Sequence, residues 1–300
     1  MGEVVPIEVR AFRRGDREQL TDLVNAHVAA VVPGVSISVN TVMSQLEREP
    51  GEYIVDPWVT QRRALVAVER DAVAAGALLL RYGAHEKVGE SYRDAGEIRW
   101  LVARPSTPAA ADHLLTACCD VLDEWGVSKR YADGALPAFA TYGIPACWPH
   151  IRAAYTRAGF RPGGRIEVIL VARVDDLPRD HRCPIDGVTL TRSVGECGTR
   201  LSAMREGQRA GYIEVETDVT AGGTRSRLAG WADIGNLHVA EDLRRRGLGT
   251  WLVAQAASWL RLGRVERLIA YAVPEDTDEL AFLDAVGFQE LTRTERVWQR

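Results

Sequence analysis

The sequence predicts a mixed α/β protein built from two similar halves. Three observations point there. Each half reads as strands, helix, strand, helix, strand, a mixed α/β order. Short segments recur between the halves: Ala158-Gly-Phe160 matches Val286-Gly-Phe288, and Glu97-Ile-Arg-Trp-Leu101 has the form of Asp233-Ile-Gly-Asn-Leu237. Between them, residues 174–187 are polar and carry Pro178 and Pro184, as boundaries tend to. The expected division is 1–175 and 188–300, joined by a linker at 176–187.

In the first half, Ile7 to Phe12 reads as a strand, and Asp16 is placed to cap a helix from Arg17 to about Val31. Val39 to Glu49 reads as a second helix, stopped by Pro50-Gly51. Ala64 to Val68 and Ala72 to Arg81 form a strand pair turning through Arg70-Asp71. Glu97 to Ala103 is a strand, and an Ala/Leu-rich helix follows from about Ala109 to Trp125, ended by Gly126. Tyr131 lies in a short strand. Pro149 opens a helix that ends at Ala158-Gly159, and Glu167 to Val174 is expected to close this half as a strand.

The second half repeats that order with one omission. Val188 to Arg192 is a strand, and Arg200 to Arg205 with Arg209 to Thr217 form a hairpin through Glu206-Gly207. Ala232 to Val239 is a strand, Leu248 to about Leu262 a helix, and Arg267 to Val273 a strand. A helix over Asp276 to Val286 and a strand over Glu290 to Trp298 complete it. Between Arg192 and Arg200 there is no room for the pair of helices found at Arg17 to Glu49.

Composition narrows the function. With 46% hydrophobic and 26% charged residues, the chain is ordinary for a globular protein, and not disordered, collagenous or coiled-coil. A net charge of −4 argues against nucleic acid as the main partner, because neutralising phosphates takes surplus Lys and Arg. No apolar run approaches the roughly 18–20 residues of a membrane span. The N-terminal residues lack a basic-then-apolar leader pattern, so a cytoplasmic protein is expected. Five cysteines without CxxC spacing and six dispersed histidines predict neither a disulfide framework nor a metal site.

The strongest chemical signal runs from Leu237 to Thr250. An apolar strand ends at Leu237-His238-Val239, a helix begins near Leu248, and Arg244-Arg245-Arg246-Gly247-Leu248-Gly249 lies between. Such a junction favours an anion. The first N–H groups of a helix are unpaired and its dipole adds positive charge. Glycines let the backbone approach phosphate oxygens, and flanking arginines can pair with more of them. The Gly-Lys-Ser/Thr ending of a Walker loop and the three-glycine dinucleotide spacing are both missing.

Strand, loop and helix resemble the acyl-CoA-binding motif of the GNAT superfamily of N-acyltransferases. Ala281-Phe282-Leu283-Asp-Ala-Val-Gly-Phe288 resembles that family's second motif. The resemblance implies two tandem GNAT-like domains, each a central mixed, mostly antiparallel sheet flanked by helices. It also implies acetyl-CoA or another acyl-CoA as cosubstrate, no metal, and a small-molecule amine as acceptor. Leu237, His238 and Val239 would then pair with the pantetheine arm, Arg244 to Thr250 would wrap the pyrophosphate, and Phe282 would pack at the thiol end. Asp233 falls where many members place the carboxylate that deprotonates the amine. The position of the family's frequent acidic Tyr is Leu283, which leaves Tyr271 as candidate general acid. In the first half Tyr155 keeps that Tyr, but Arg104 to Asp112 has no glycine and carries a carboxylate where the phosphate loop should fall. The expected reading is therefore a degenerate first copy and a working second copy. Family members wall the acceptor site with the two helices this second copy lacks, and the Pro/Gly-rich segment Asp133 to Pro149 is a candidate replacement.

Two other readings stay open. One is a non-catalytic acyl-CoA-binding sensor or scaffold, which Leu283 and the missing helices favour. The other is transfer from an aminoacyl-tRNA, which the acidic charge disfavours.

Overall fold

The computed structural model describes residues 6–47, 58–179, 182–217 and 230–300. By its contacts the chain divides into two compact units, Met1–Ile166 with Thr294–Arg300, and Glu167–Arg293.

The first unit opens with β1 (Ile7–Ala11), followed by helices α1 (Arg17–Val31) and α2 (Val39–Leu46). Asp16 fixes the entrance to α1: its carboxylate takes two bonds from Arg10, at 2.7 and 2.9 Å, and one from the Arg13 amide at 2.8 Å. Ser38 caps α2 by accepting from the Thr41 amide. The stop expected at Pro50-Gly51 lies outside the described residues. Next come β2 (Val59–Glu69), β3 (Ala72–Tyr82), β4 (Ala95–Ala103), α3 (Pro108–Glu124) and β5 (Lys129–Ala132). They are followed by the two-residue β6 (Ile144–Pro145), α4 (Pro149–Arg157) and β7 (Arg165–Arg173). Arg70 and Asp71 both take positive φ between β2 and β3, the two-residue turn that matches strand twist.

The second unit holds β8 (Val188–Val194), β9 (Thr199–Arg205), β10 (Gln208–Glu216), β11 (Trp231–Val239), α5 (Leu248–Leu262), β12 (Arg267–Ala272) and α6 (Thr277–Ala285). β13 (Gln289–Arg296) and β14 (Trp298–Gln299) finish the chain. No helix stands between β8 and β9, as the sequence requires. No helix among the described residues is long and apolar enough to cross a membrane.

Each sheet holds one parallel pair among the antiparallel ones described. In the first unit the order is β1-β2-β3-β4-β5-β14, with β4 and β5 parallel. The second sheet runs β6-β13-β7-β12-β11-β10-β9-β8, with β11 and β12 parallel; β6 joins it through Thr294 and Glu295 of β13. The recurrent Gly-Phe is a packing device: Gly159 and Gly287 turn the chain at positive φ, and Phe160 and Phe288 are at most 1% exposed. Truncating either phenylalanine to alanine removes about 3–5 kcal/mol of packing.

The units do not divide where the linker suggests. β7, expected to close the first half, pairs along its length with β12 of the second unit, from Val168↔Ala272 to Arg173↔Arg267. Thr294–Arg300, at the far end of the sequence, belongs to the first unit, where Trp298 pairs with Ala132 of β5. The start of the expected linker is no free tether either. Leu177 and Ile185 are buried in the second unit's core, and Arg261 of α5 donates to the Val174 and Leu177 carbonyls at 2.6 and 3.1 Å. Periodicity identifies a strand but not its neighbour, so spacing along the chain does not carry this division.

A fragment spanning residues 185–300 omits β7, which lies between β13 and β12, and should show no cooperative thermal transition. Residues 167–293 keep every strand of that unit. Circular dichroism melts of the two fragments check this; cooperative melting of 185–300 would show β7 to be dispensable.

Candidate active site

The site is built on an irregularity in β11. Along β10 the register runs Val215↔Ile234 and then Glu214↔Asn236, so Gly235 is an extra residue, a β-bulge. On its other edge β11 pairs with β12 only from Trp231↔Arg267 to Asp233↔Ile269. Beyond Asp233 the ladder stops and a gap opens between the two parallel strands. A bulge bends its strand and increases its twist, so the opening begins where the bulge begins.

Side chains sort onto two faces of this strand. Ala232, Ile234, Leu237 and Val239 face α5 and its core. Asp233 is paired across with Glu216, and Asn236 with Glu214, on the opposite face. His238 is exposed and lies beside the Tyr212 ring, 5.8 Å between centroids. Leu237, His238 and Val239 therefore offer the gap their backbone, not their side chains. Asp233 is half-buried; burial, together with the nearby Glu216, pushes its carboxyl pKa up to about 6. Tyr271, on β12, stands two residues beyond Asp233's partner Ile269 and so on the same face as Asp233.

The loop after β11 has the geometry expected of an anion site. A single 3-10 turn over Glu241–Leu243, anchored by buried Leu243, leads to exposed Arg244, Arg245, Arg246 and Gly247. Arg244 folds back to donate to the Val239 carbonyl at 3.2 Å. Arg245 and Gly247 have φ of 60° and 82°, and Gly247 is the residue from which α5 starts. The amides of Leu248, Gly249 and Thr250 have no preceding turn to bond to. Gly249 is a close approach: a Cβ there would lie 3.2 Å from the Phe282 ring, tight enough that the ring would have to give by a few tenths of an ångström. Val239, Gly249 and Phe282 thus meet at one point, the outer end of the gap. Leu248 is 1% exposed and belongs to the core, so its part in any phosphate contact is its amide. Leu283 is buried in the same core, which accounts for the apolar residue where a tyrosine was sought.

The first unit repeats the strand irregularity but closes the gap. Its register runs Leu78↔Trp100 and then Leu79↔Ile98, so Arg99 is the bulged residue and Glu97 stands where Asp233 stands in the second unit. There the chain after β5 stays on β4: Asp133 and Ala135 donate to the carbonyls of Ile98 and Arg99. At the end of β4, the Ala103 carbonyl contacts His150 Nε2 at 3.0 Å and its amide contacts His27 Nε2 at 3.5 Å. The two imidazoles touch each other at 3.1 Å. Burial keeps this pair neutral, lowering His27 to about 4 and His150 in the same direction. Tyr155, the retained tyrosine, is fully buried between Phe160 and Trp298. Asp112 lies on α3 in an ion pair with Arg157 at 2.7 Å.

Sequence reasoning missed Glu214. It is 0% exposed and accepts from Asn236, Arg200 and the Glu196 and Cys197 amides. Burial opposes its ionisation, but those donors outweigh it and hold the pKa below the usual carboxylate range. Its alternation with Tyr212 and Glu216 on β10 was the available signal, and alternation alone reads as a solvated face.

Residues 216–298 match the family model described as FR47-like protein. Among solved structures, a GCN5-related N-acetyltransferase from Sphaerobacter thermophilus is similar over 99% of this chain and 96% of its own, with TM-score 0.63 and 15% identity. A tandem GNAT protein from the clavulanic acid biosynthesis pathway is similar over 98% of each chain, with TM-score 0.61 and 15% identity. A third is the GCN5-related glucosamine N-acetyltransferase region of a fungal multi-domain GH3 beta-N-acetylglucosaminidase, with TM-score 0.62 and 14% identity over 99% of this chain; this chain spans 38% of that one. The chain has the tandem GNAT fold. No curated protein matches it in sequence.

Gly235→Ala should unsettle the bulge, because the added Cβ would lie 2.1 Å from the Cys197 Cβ. Overpacking of this kind costs about 1–3 kcal/mol, a fall of roughly 2–10 °C in melting temperature. Calorimetry measures the fall, and an unchanged melting temperature would mean that the strand accepts a side chain there.

Proposed function

We propose that this chain is an acyl-CoA-dependent N-acyltransferase, moving an acetyl or other acyl group to the amine of a small molecule, with its site in the second unit. One observation carries the reading: the gap between β11 and β12 opens at Asp233 and ends where Val239, Gly249 and Phe282 meet at the start of α5. A long thioester with a phosphate-bearing tail fits such a slot. The backbone of Leu237, His238 and Val239 would pair with its arm, while Arg244, Arg245, Arg246 and the amides of Gly247 to Thr250 would hold the pyrophosphate.

The chemistry follows from Asp233. An ammonium has no lone pair, so the acceptor must lose a proton before attack. A carboxylate with its pKa near 6 is ionised at neutral pH yet basic enough to take that proton, directly or through water. The amine nitrogen then bonds to the thioester carbon, the C–S bond breaks, and the departing thiolate takes a proton. Tyr271, on the same face, is the candidate donor for that last step. No covalent link to the enzyme is needed, since holding both reactants in place supplies several kcal/mol by itself.

The first unit is proposed to bind no cofactor. His27 and His150 already engage the strand-end backbone of Ala103, and Arg104 to Asp112 offers no glycine to a phosphate. A second reading, a non-catalytic acyl-CoA binder, is favoured by one observation, the burial of Leu283 where the family's acid is often found. Thiol release from acetyl-CoA across a panel of amines separates the two.

Calorimetry should find one CoA per chain; two equivalent sites would refute the assignment to the second unit. Gly247→Val forces a side chain into the left-handed region and onto the face a phosphate would approach. Whether the loop shifts or the side chain stands in the way, calorimetry should show CoA binding weakened about ten-fold or more.

Asp233→Asn should lower turnover by about 10²–10⁴ and leave CoA affinity unchanged. In the unmodified protein, turnover should fall below about pH 6 as Asp233 takes up a proton, and the variant should lack that limb. A pH–rate profile that is the same in both removes Asp233 from the mechanism.

A further inference from the structure

The four residues between β8 and β9 stand where the fold's usual helical pair would begin, and they are tied down with unusual completeness. The Gly195 amide donates to the Gly198 carbonyl at 2.8 Å, closing a turn. Glu214 reaches up from β10 beneath it and gathers donors from three elements. These are the Glu196 and Cys197 amides of the turn, at 3.2 Å each, Arg200 of β9, and Asn236 of β11 at 2.7 Å. The fit leaves no slack. A Cβ on Gly195 would lie 2.4 Å from a Glu214 carboxylate oxygen, and one on Gly198 would lie 2.4 Å from the Val215 carbonyl.

The turn is thereby pressed onto the bulge. The Cys197 side chain occupies the space above Gly235, where a Cβ would be 2.1 Å from its own, and Asn236 Nδ2 lies 3.8 Å from its sulfur. Asn236 and Asp233 share one face of β11, so Cys197, beside Asn236, stands toward that face, with Gly235 between it and Asp233 in sequence. Arg200 also covers the Tyr212 ring at 4.9 Å, which extends the same surface along β10.

We propose that Cys197 is the acceptor-side wall of the transfer site, setting the bulk of amine that reaches Asp233, and that Glu214 is the positioning residue holding it there. The inference rests on the acyl-transfer reading and adds to it which residue selects the acceptor. A short wall of this kind suits a compact primary amine. Burial and the neighbouring carboxylates, Glu214 and Asp233 among them, push the Cys197 thiol up, so it is a neutral wall at physiological pH and not a competing nucleophile.

Two measurements on the full chain test this. The first needs no turnover: N-ethylmaleimide labelling of Cys197, followed by peptide mass spectrometry with CoA present. Glu214→Gln removes the charge facing Arg200, which also holds the thiol pKa up, so rates are compared per thiolate, from their pH profiles. A loosened turn should raise that rate about ten-fold, and an unchanged per-thiolate rate overturns the positioning role. The second compares kcat/KM for two accepted amines of different bulk, ethylamine and benzylamine. Cys197→Ala should shift the ratio toward benzylamine by about ten-fold and Cys197→Phe should shift it away, the scale of one or two methylenes in a pocket. General destabilisation would lower both amines together and leave their ratio fixed. A ratio unmoved by both variants overturns the wall while leaving acyl transfer standing. Absence of turnover with every amine in the panel overturns the acyl-transfer reading, and the wall with it.

Discussion

Everything at the candidate site depends on one extra residue in one strand. Because Gly235 has no partner on β10, β11 bends away from β12 just after Asp233. That departure interrupts an otherwise continuous sheet and takes the last residues of β11 out of the ladder with β12. Only glycine serves here, since Cys197 fills the volume any side chain would need. The conformational freedom of the residue matters less than its missing atoms.

The first unit shows what happens when the same irregularity is not kept open. Arg99 bulges as Gly235 does, and Glu97 sits where Asp233 sits. Yet Glu97 is 1% exposed, bonded to the Tyr82 hydroxyl and 3.5 Å from Arg99, while two imidazoles take up the end of the strand. A carboxylate that faces an opening in one unit is part of a buried network in the other. Duplicated architecture has kept the strand's shape and spent its interior on packing.

Much of this was legible in the sequence, and for physical reasons. The helix Leu248–Leu262 and the hairpin turns at Arg70-Asp71 and Glu206-Gly207 follow from local chemistry: apolar periodicity, a preceding glycine, and residues that tolerate positive φ. The Arg244 to Gly249 loop was visible because a glycine-containing helix start is made of contiguous residues. What stayed hidden depends on distant partners. Nothing local says that β7 pairs with β12, that Glu214 is buried under four donors, or that Leu283 points into the core. Such facts belong to the pairing of strands, which composition and spacing do not encode.

The exchange of end strands also bears on how the chain comes into being. The first unit's sheet has Trp298-Gln299 as its final strand, so that sheet is complete only once residue 299 has been made. At roughly 5–20 residues per second of synthesis, about 130 residues separate the emergence of β7 from that of β14, a delay on the order of 7–26 seconds. Throughout that interval the early half carries an open edge at β5, the kind of unpaired strand that recruits other chains. Closing it joins residues far apart in sequence, a long-range contact that slows folding. The architecture therefore ties completion of the first-made half to residues made about 130 positions later, and gives a nascent chain reason to need protection until those residues have emerged.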